Sequence, residues 1–259
     1  MVNVLEKILR LFSGAGAGDD ETRQLIEETA RDVVRSTRVL VDHQSEYIPA
    51  EAEAFPAYDA AFYDGTARDL APHGIRVLGD FEDAAFTRRA PHQRAFYRIG
   101  VSDDGTVAAA WFILPPPPPT DEDAPPLRPG SCLVFETWLA DGRCITTTCG
   151  AAENAVPKPA QVLVREVGRA TAPGDALRGH RDRVGEARGV PKVLRTADDV
   201  LAARLAEEQF IAAFRHTKGL GLFEPMLRKM LGPNYDEQGA PLVEAIRRNP
   251  DWWTESGEI

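Results

Sequence analysis

The chain has 259 residues, 43% of them apolar, with 30 Lys and Arg against 40 Asp and Glu, a formal charge of −10 at pH 7. That length and apolar content supply a real core, as one large domain or one domain with helical additions. The acidic balance excludes general nucleic-acid binding, which needs a basic footprint, and argues against an anionic membrane as an electrostatic partner. Three cysteines, no CxxC pair, no secretory leader and no apolar run near the ~20 residues of a membrane span point to reduced thiols in a cytoplasmic protein. Richness in Ala, Arg and Pro fits a GC-rich bacterial genome.

Residues 3–12 carry an amphipathic helix pattern. Leu5, Ile8, Leu9 and Phe12 recur at i, i+3, i+4 and i+7, and Asn3 with Glu6 forms a capping pair. Ser13 to Gly18 follow as a flexible Gly/Ala joint, so residues 1–18 read as a tethered helix for docking on the body, a partner or a membrane surface. A polybasic face for lipid is missing, which weakens the membrane option. Asp19 and Asp20 cap a longer helix to about Val41, with Ile26, Ala30, Val33, Thr37 and Leu40 as its inner stripe. Residues 42–56 are acidic and irregular. A further helix opening at Pro56 ends at Pro72 and Gly74.

Strand patterns then dominate. Ile75 to Leu78 is short and closed by Gly79-Asp80. Ala95–Val101 and Thr106–Leu114 flank Asp104-Gly105 as a hairpin that pairs Tyr97 with Phe112, Ile99 with Ala110 and Val101 with Ala108. Its other face sets Arg98 beside Trp111 for a cation–π contact. Pro115 to Pro119 open a stiff polyproline loop to residue 130, long enough to count as interaction equipment. A central hairpin, Cys132 to Cys149, turns at Asp141-Gly142. A two-residue type I′ turn there places Leu139 opposite Cys144 and Glu136 opposite Thr147. Glu136 then sits among Val134, Trp138, Ile145 and Cys149, where a carboxylate needs a partner or stays protonated. Residues 161–167 read as one more strand.

Helical patterns return over 175–188, with His180 on the inner side, and over 197–218, where Thr196 and Asp199 form a capping box. Two short helices follow, 224–231 and 241–248, and Trp252-Trp253 either anchor the tail or form a binding element. The order predicts an α+β fold: an antiparallel meander of about six strands packed by N- and C-terminal helices. It divides into residues 1–18 as tethered helix, 19–190 as α+β domain and 191–259 as a helical region packing on it.

No GxGxxG, P-loop, HExxH, GxSxG or EF-hand pattern occurs, the five histidines lack ligand spacing, and no cofactor or metal is expected. The leading reading is a non-enzymatic binding or protein-interaction module. Its partner is an unknown protein or small molecule, met through Leu5, Ile8, Leu9, Phe12, Pro115, Pro119, Trp252 or Trp253. The alternative is a small-molecule enzyme, a hydrolase or isomerase, using Glu136 and His180 as catalytic residues in a sheet-lined cavity. The discriminating observation is whether Glu136 and His180 converge in one cavity.

Overall fold

The structure, a computed structural model, describes residues 19–55, 58–91, 94–114, 130–150 and 156–254. Its contacts divide the chain into two compact units, with boundaries at 43/44 and 209/210 where the sequence suggests 18/19 and 190/191. Residues 156–158 count with the unit that holds 19–43 and 210–254.

The larger unit is built on one seven-stranded sheet whose spatial order follows the sequence. Its strands are β1 (Tyr47–Pro49), β2 (Ile75–Asp83), β3 (Phe96–Ser102), β4 (Ala108–Leu114), β5 (Gly130–Trp138), β6 (Cys144–Cys149) and β7 (Val162–Val167). The first six pair antiparallel, as a meander does, while β7 lies parallel to β6. The expected six strands thus become seven, and the sheet is mostly rather than wholly antiparallel. β1 escapes the sequence reading because three residues in an acidic stretch are too few to show a period. β2 runs on through Gly79-Asp80, absorbing the irregularity as a register shift between Val77 and Gly79. The parallel step needs about a dozen residues of connection, which residues 150–161 supply.

The β3–β4 hairpin keeps its expected register, with Tyr97 opposite Phe112 and Val101 opposite Ala108. The β5–β6 hairpin does not. Leu139 N–H donates to Arg143 O (2.8 Å), Gly142 N–H to Leu139 O (3.1 Å), and Gly142 has φ +87°. This is a three-residue loop closed by a left-handed glycine, not a two-residue type I′ turn. The register slips by one. Trp138 faces Cys144, Glu136 faces Thr146 and Phe135 faces Thr147. Every β6 side chain therefore moves to the face opposite the one expected.

Both faces are covered. Trp111, Leu133, Phe135 and Cys149 pack with Tyr63 and Leu70 of α2 (Ala60–Leu70) and Ala176 and Leu177 of α4 (Pro173–Glu186), helices that flank the short α3 (Ala84–Arg89) in the chain. Each fully buried large side chain of this kind contributes about 1.5–3 kcal/mol. Ile99, Val101, Ala110, Trp138 and Cys144 pack on Leu194 and on Val200 and Leu201 of α5 (Ala197–Lys218). The capping box at its start forms as expected: Asp199 N–H donates to Thr196 Oγ1 (3.1 Å), and Thr196 N–H to Asp199 Oδ2 (2.9 Å). Arg98 does not stack on Trp111. It binds Asp80 and Asp64 at 2.7 Å and lies over Tyr63 and Phe96, while Trp111 Nε1–H donates to Tyr63 O.

The other unit packs α1 (Asp19–Val41) against α6 (Phe223–Leu231) and α7 (Ala240–Arg248). Ala30, Val33 and Val34 meet Phe223, Leu227, Leu242 and Ile246, with Val156 in the same core. Thr37, on the expected stripe of α1, donates to Met226 Sδ.

Candidate functional site

Glu136 points from β5 toward α5 and is 8% exposed. Arg204 meets it side-on, Nε–H donating to Oε2 at 2.8 Å and Nη2–H to Oε1 at 3.3 Å. Arg204 lies one turn beyond Val200 and Leu201, on the stripe of α5 that packs against the sheet. Burial opposes its charge, but Glu136 first and then Tyr47 and Glu208 outweigh this and raise its pKa. Two further carboxylates follow on the same helix. Glu207 Oε2 accepts Trp138 Nε1–H (2.8 Å) and the Cys144 thiol (3.0 Å). Glu208 accepts Ser45 N–H, Ser45 Oγ–H and the Tyr47 hydroxyl. Burial pushes Tyr47 up to about 12 and lifts the Cys144 thiol far above its ordinary range, with Glu207 and Glu136 adding to the effect. Arg204 Nη1 is buried and has no hydrogen-bond partner among the described residues.

His180 lies on the opposite face. It is fully buried on α4, with Nε2 3.0 Å from Thr137 Oγ1 and Nδ1 3.0 Å from Thr147 Oγ1. The network fixes its tautomer. Thr137 gives its hydroxyl hydrogen to Thr106 O, so it accepts from Nε2–H. Thr147 accepts from Arg183 Nη1, so its own hydrogen goes to Nδ1. Burial, reinforced by Arg183 and Arg181, pushes the His180 pKa down to about 3. It is a neutral ring with both nitrogens engaged.

Glu136 and Thr137 are consecutive on one strand, so their side chains leave opposite faces. Glu136 and His180 therefore do not converge, and the sheet separates the two groups that the enzyme reading requires together. Sequence reasoning missed Arg204, Glu207 and Glu208. The available signal was charge at i+4 and i+7 from Val200 and at i+7 from Leu201, along the inward stripe.

The expected interaction residues fall in two groups. Leu5, Ile8, Leu9, Phe12, Pro115 and Pro119 lie outside the described residues. Trp252 is buried in the core of the helical unit beneath the Arg31 guanidinium. Trp253 packs on Phe223 and His216, and its carbonyl accepts from Arg38. Both tryptophans hold the last described turn on its own unit.

β7 ends the sheet, and its Leu163 and Val164 are 37% and 39% exposed on opposite faces. The other edge, β1, has three residues and closes with Pro49.

Among the described residues no cluster of His, Cys, Asp or Glu is arranged to hold a metal ion, and no helix is long and apolar enough to cross a membrane. Comparison with protein-family models, with curated proteins and with solved structures gave no match.

Proposed function

We propose that this chain is a non-enzymatic protein-interaction module that accepts a strand from another polypeptide along β7. The carrying observation is the asymmetry of the sheet edges. Short strands and prolines are the usual means of blunting an edge, and β1 has both. β7 has neither: it is an uninterrupted six-residue strand that exposes Leu163, Val164, Arg165 and Glu166. Strand addition draws affinity from backbone hydrogen bonds and specificity from alternate side chains. The separation of Glu136 from His180, and their full engagement with Arg204 and with two threonines, supports the non-enzymatic half of the reading.

The test is strand capture with Val164→Pro. The wild-type chain is expected to retain a defined polypeptide in stoichiometric amount and to gain amide exchange protection across 162–167 in the complex. Val164→Pro is expected to lose both. Retention unchanged by the proline, or protection that appears elsewhere, would sink the reading.

A further inference from the structure

We infer that Arg165 and Arg183 form a binding site for a phosphate group, free or as the monoester of a small molecule, where α4 covers the β7 end of the sheet. The site does not depend on strand capture along β7.

The register of β7 brings the two arginines together. Arg165 is level with Thr147 of β6, and residues level across a parallel pair point to the same face. Thr147 turns toward α4, where its hydroxyl meets His180. Arg165 therefore leaves the sheet on that face too. Arg183, in the last turn of α4, reaches the same place from above. Its Nη1 donates to Thr146 O and Thr147 Oγ1, both at 2.8 Å, and its Nη2 to Leu163 O at 2.7 Å. The two charges feel one another: burial first, and then Arg165, hold the Arg183 pKa below its ordinary value, with Glu186 opposing.

The donors left over define the ligand. A guanidinium has five N–H donors and no acceptor. Arg183 directs three of them to neutral oxygens, none on its own helix, which leaves Nε–H and one Nη2–H. Those three bonds also fix the plane of the fork. Arg165 is exposed, and among the described residues neither guanidinium is ion-paired with a carboxylate. Like charges set side by side are destabilising, and this pair stands uncompensated in a chain whose acids outnumber its bases by 40 to 30. An anion between them removes that cost. A phosphate dianion balances both charges, and its oxygens suit forked donors from two arginines. A carboxylate has one charge and leaves one guanidinium uncompensated. Leu163, two residues before Arg165, lies on the same face and is 37% exposed, so carbon atoms attached to the phosphate meet an apolar surface beside the fork.

The experiment is a titration of the full chain at constant ionic strength and mildly alkaline pH, read from the arginine Nε–Hε signals by nitrogen-15 NMR. The probes are inorganic phosphate and phenyl phosphate, with chloride and acetate as controls. Phosphate is expected to shift the Arg165 and Arg183 signals saturably, and the controls are not. Arg183→Gln removes three bonds within the fold, so Arg165→Gln, which removes none, is the decisive variant. It is expected to keep the circular dichroism spectrum and to weaken phosphate binding by about tenfold or more. Phosphate should raise the melting temperature of the wild type and not that of Arg165→Gln. Tighter binding of phenyl phosphate, lost in Leu163→Ser, supports the site with a monoester as its ligand; equal binding of the two probes supports it with free phosphate. Shifts as large in chloride or acetate, no saturable shift with either phosphate, or an affinity unchanged by Arg165→Gln would overturn the inference.

Discussion

The two faces of the sheet bury polar groups by opposite means. Toward α5, Glu136 is paired with the Arg204 guanidinium at 2.8 Å. Toward α4, His180 gives up its charge and divides its two nitrogens between Thr137 and Thr147. The difference follows from the partners at hand. The carboxyl group of Glu136 faces a guanidinium, an opposite charge with two hydrogen-bond donors. An imidazole facing two hydroxyls, with Arg183 and Arg181 nearby, gains nothing from a proton. The first arrangement is sensitive to losing one partner and the second to pH.

The largest effect should come from splitting the ion pair. Glu136→Ala leaves Arg204 buried and uncompensated, and should cost about 3–5 kcal/mol in urea denaturation. Replacing both partners, as Glu136→Leu with Arg204→Met, should recover most of that loss, because the desolvation cost disappears with the charges. A double variant as unstable as the single one would mean that packing rather than charge sets the cost.

The histidine face should respond to acid. The unfolded chain binds a proton at His180 near its ordinary 6.5, the folded chain only near 3. The unfolded state therefore holds more protons between these values. His180's contribution is whole above about 6.5 and is lost as pH falls toward 3, by up to about 4–5 kcal/mol. Denaturation of wild type and His180→Gln at pH 7 and pH 4 should show this loss in the wild type and a shallower one in the variant. Equal slopes would place the acid sensitivity elsewhere. The bonding also predicts the tautomer: nitrogen-15 shifts should report a protonated Nε2 and a bare Nδ1. Thr137→Val removes one of the two supports and should cost about 1–2 kcal/mol.

Smaller effects separate the faces from the edge. Cys132, Cys144 and Cys149 are buried, and burial lifts Cys149 to about 11. A thiol reagent should modify none of them rapidly in the native state, and Cys144 should be reached only on unfolding. Val164 is exposed at the end of its face of the sheet, so Val164→Lys should change stability by no more than about 0.5 kcal/mol. A large loss there would mean that β7 supports the fold rather than presenting an edge.

Much of this architecture is legible in the residues themselves. The stripe of Ala30, Val33 and Thr37 predicts the buried side of α1. The capping box at Thr196 and Asp199 predicts where α5 starts, and the alternation through Tyr97, Ile99 and Val101 predicts the register with β4. These features depend on neighbours a few residues away, or on a turn that joins the paired strands directly. Glu136 also stands out as a carboxylate within a strand that reads as apolar on both sides.

What the sequence left open depends on non-local choices. Asp141-Gly142 suits either a two-residue or a three-residue turn, and only the folded loop decides between them. That one-residue difference reassigns every β6 side chain and brings Thr147, not Thr146, beside His180. The partner of Glu136 comes from a helix far along the chain, and the placement of Glu136 and His180 on opposite faces follows from which helix covers which side. The parallel entry of β7 likewise reflects the path of a connection rather than any pattern within Val162–Val167. Local periodicity fixes helices, caps and the alternation of a strand. Pairing register, the covering of faces and the identity of the edge strands arise only when distant segments meet.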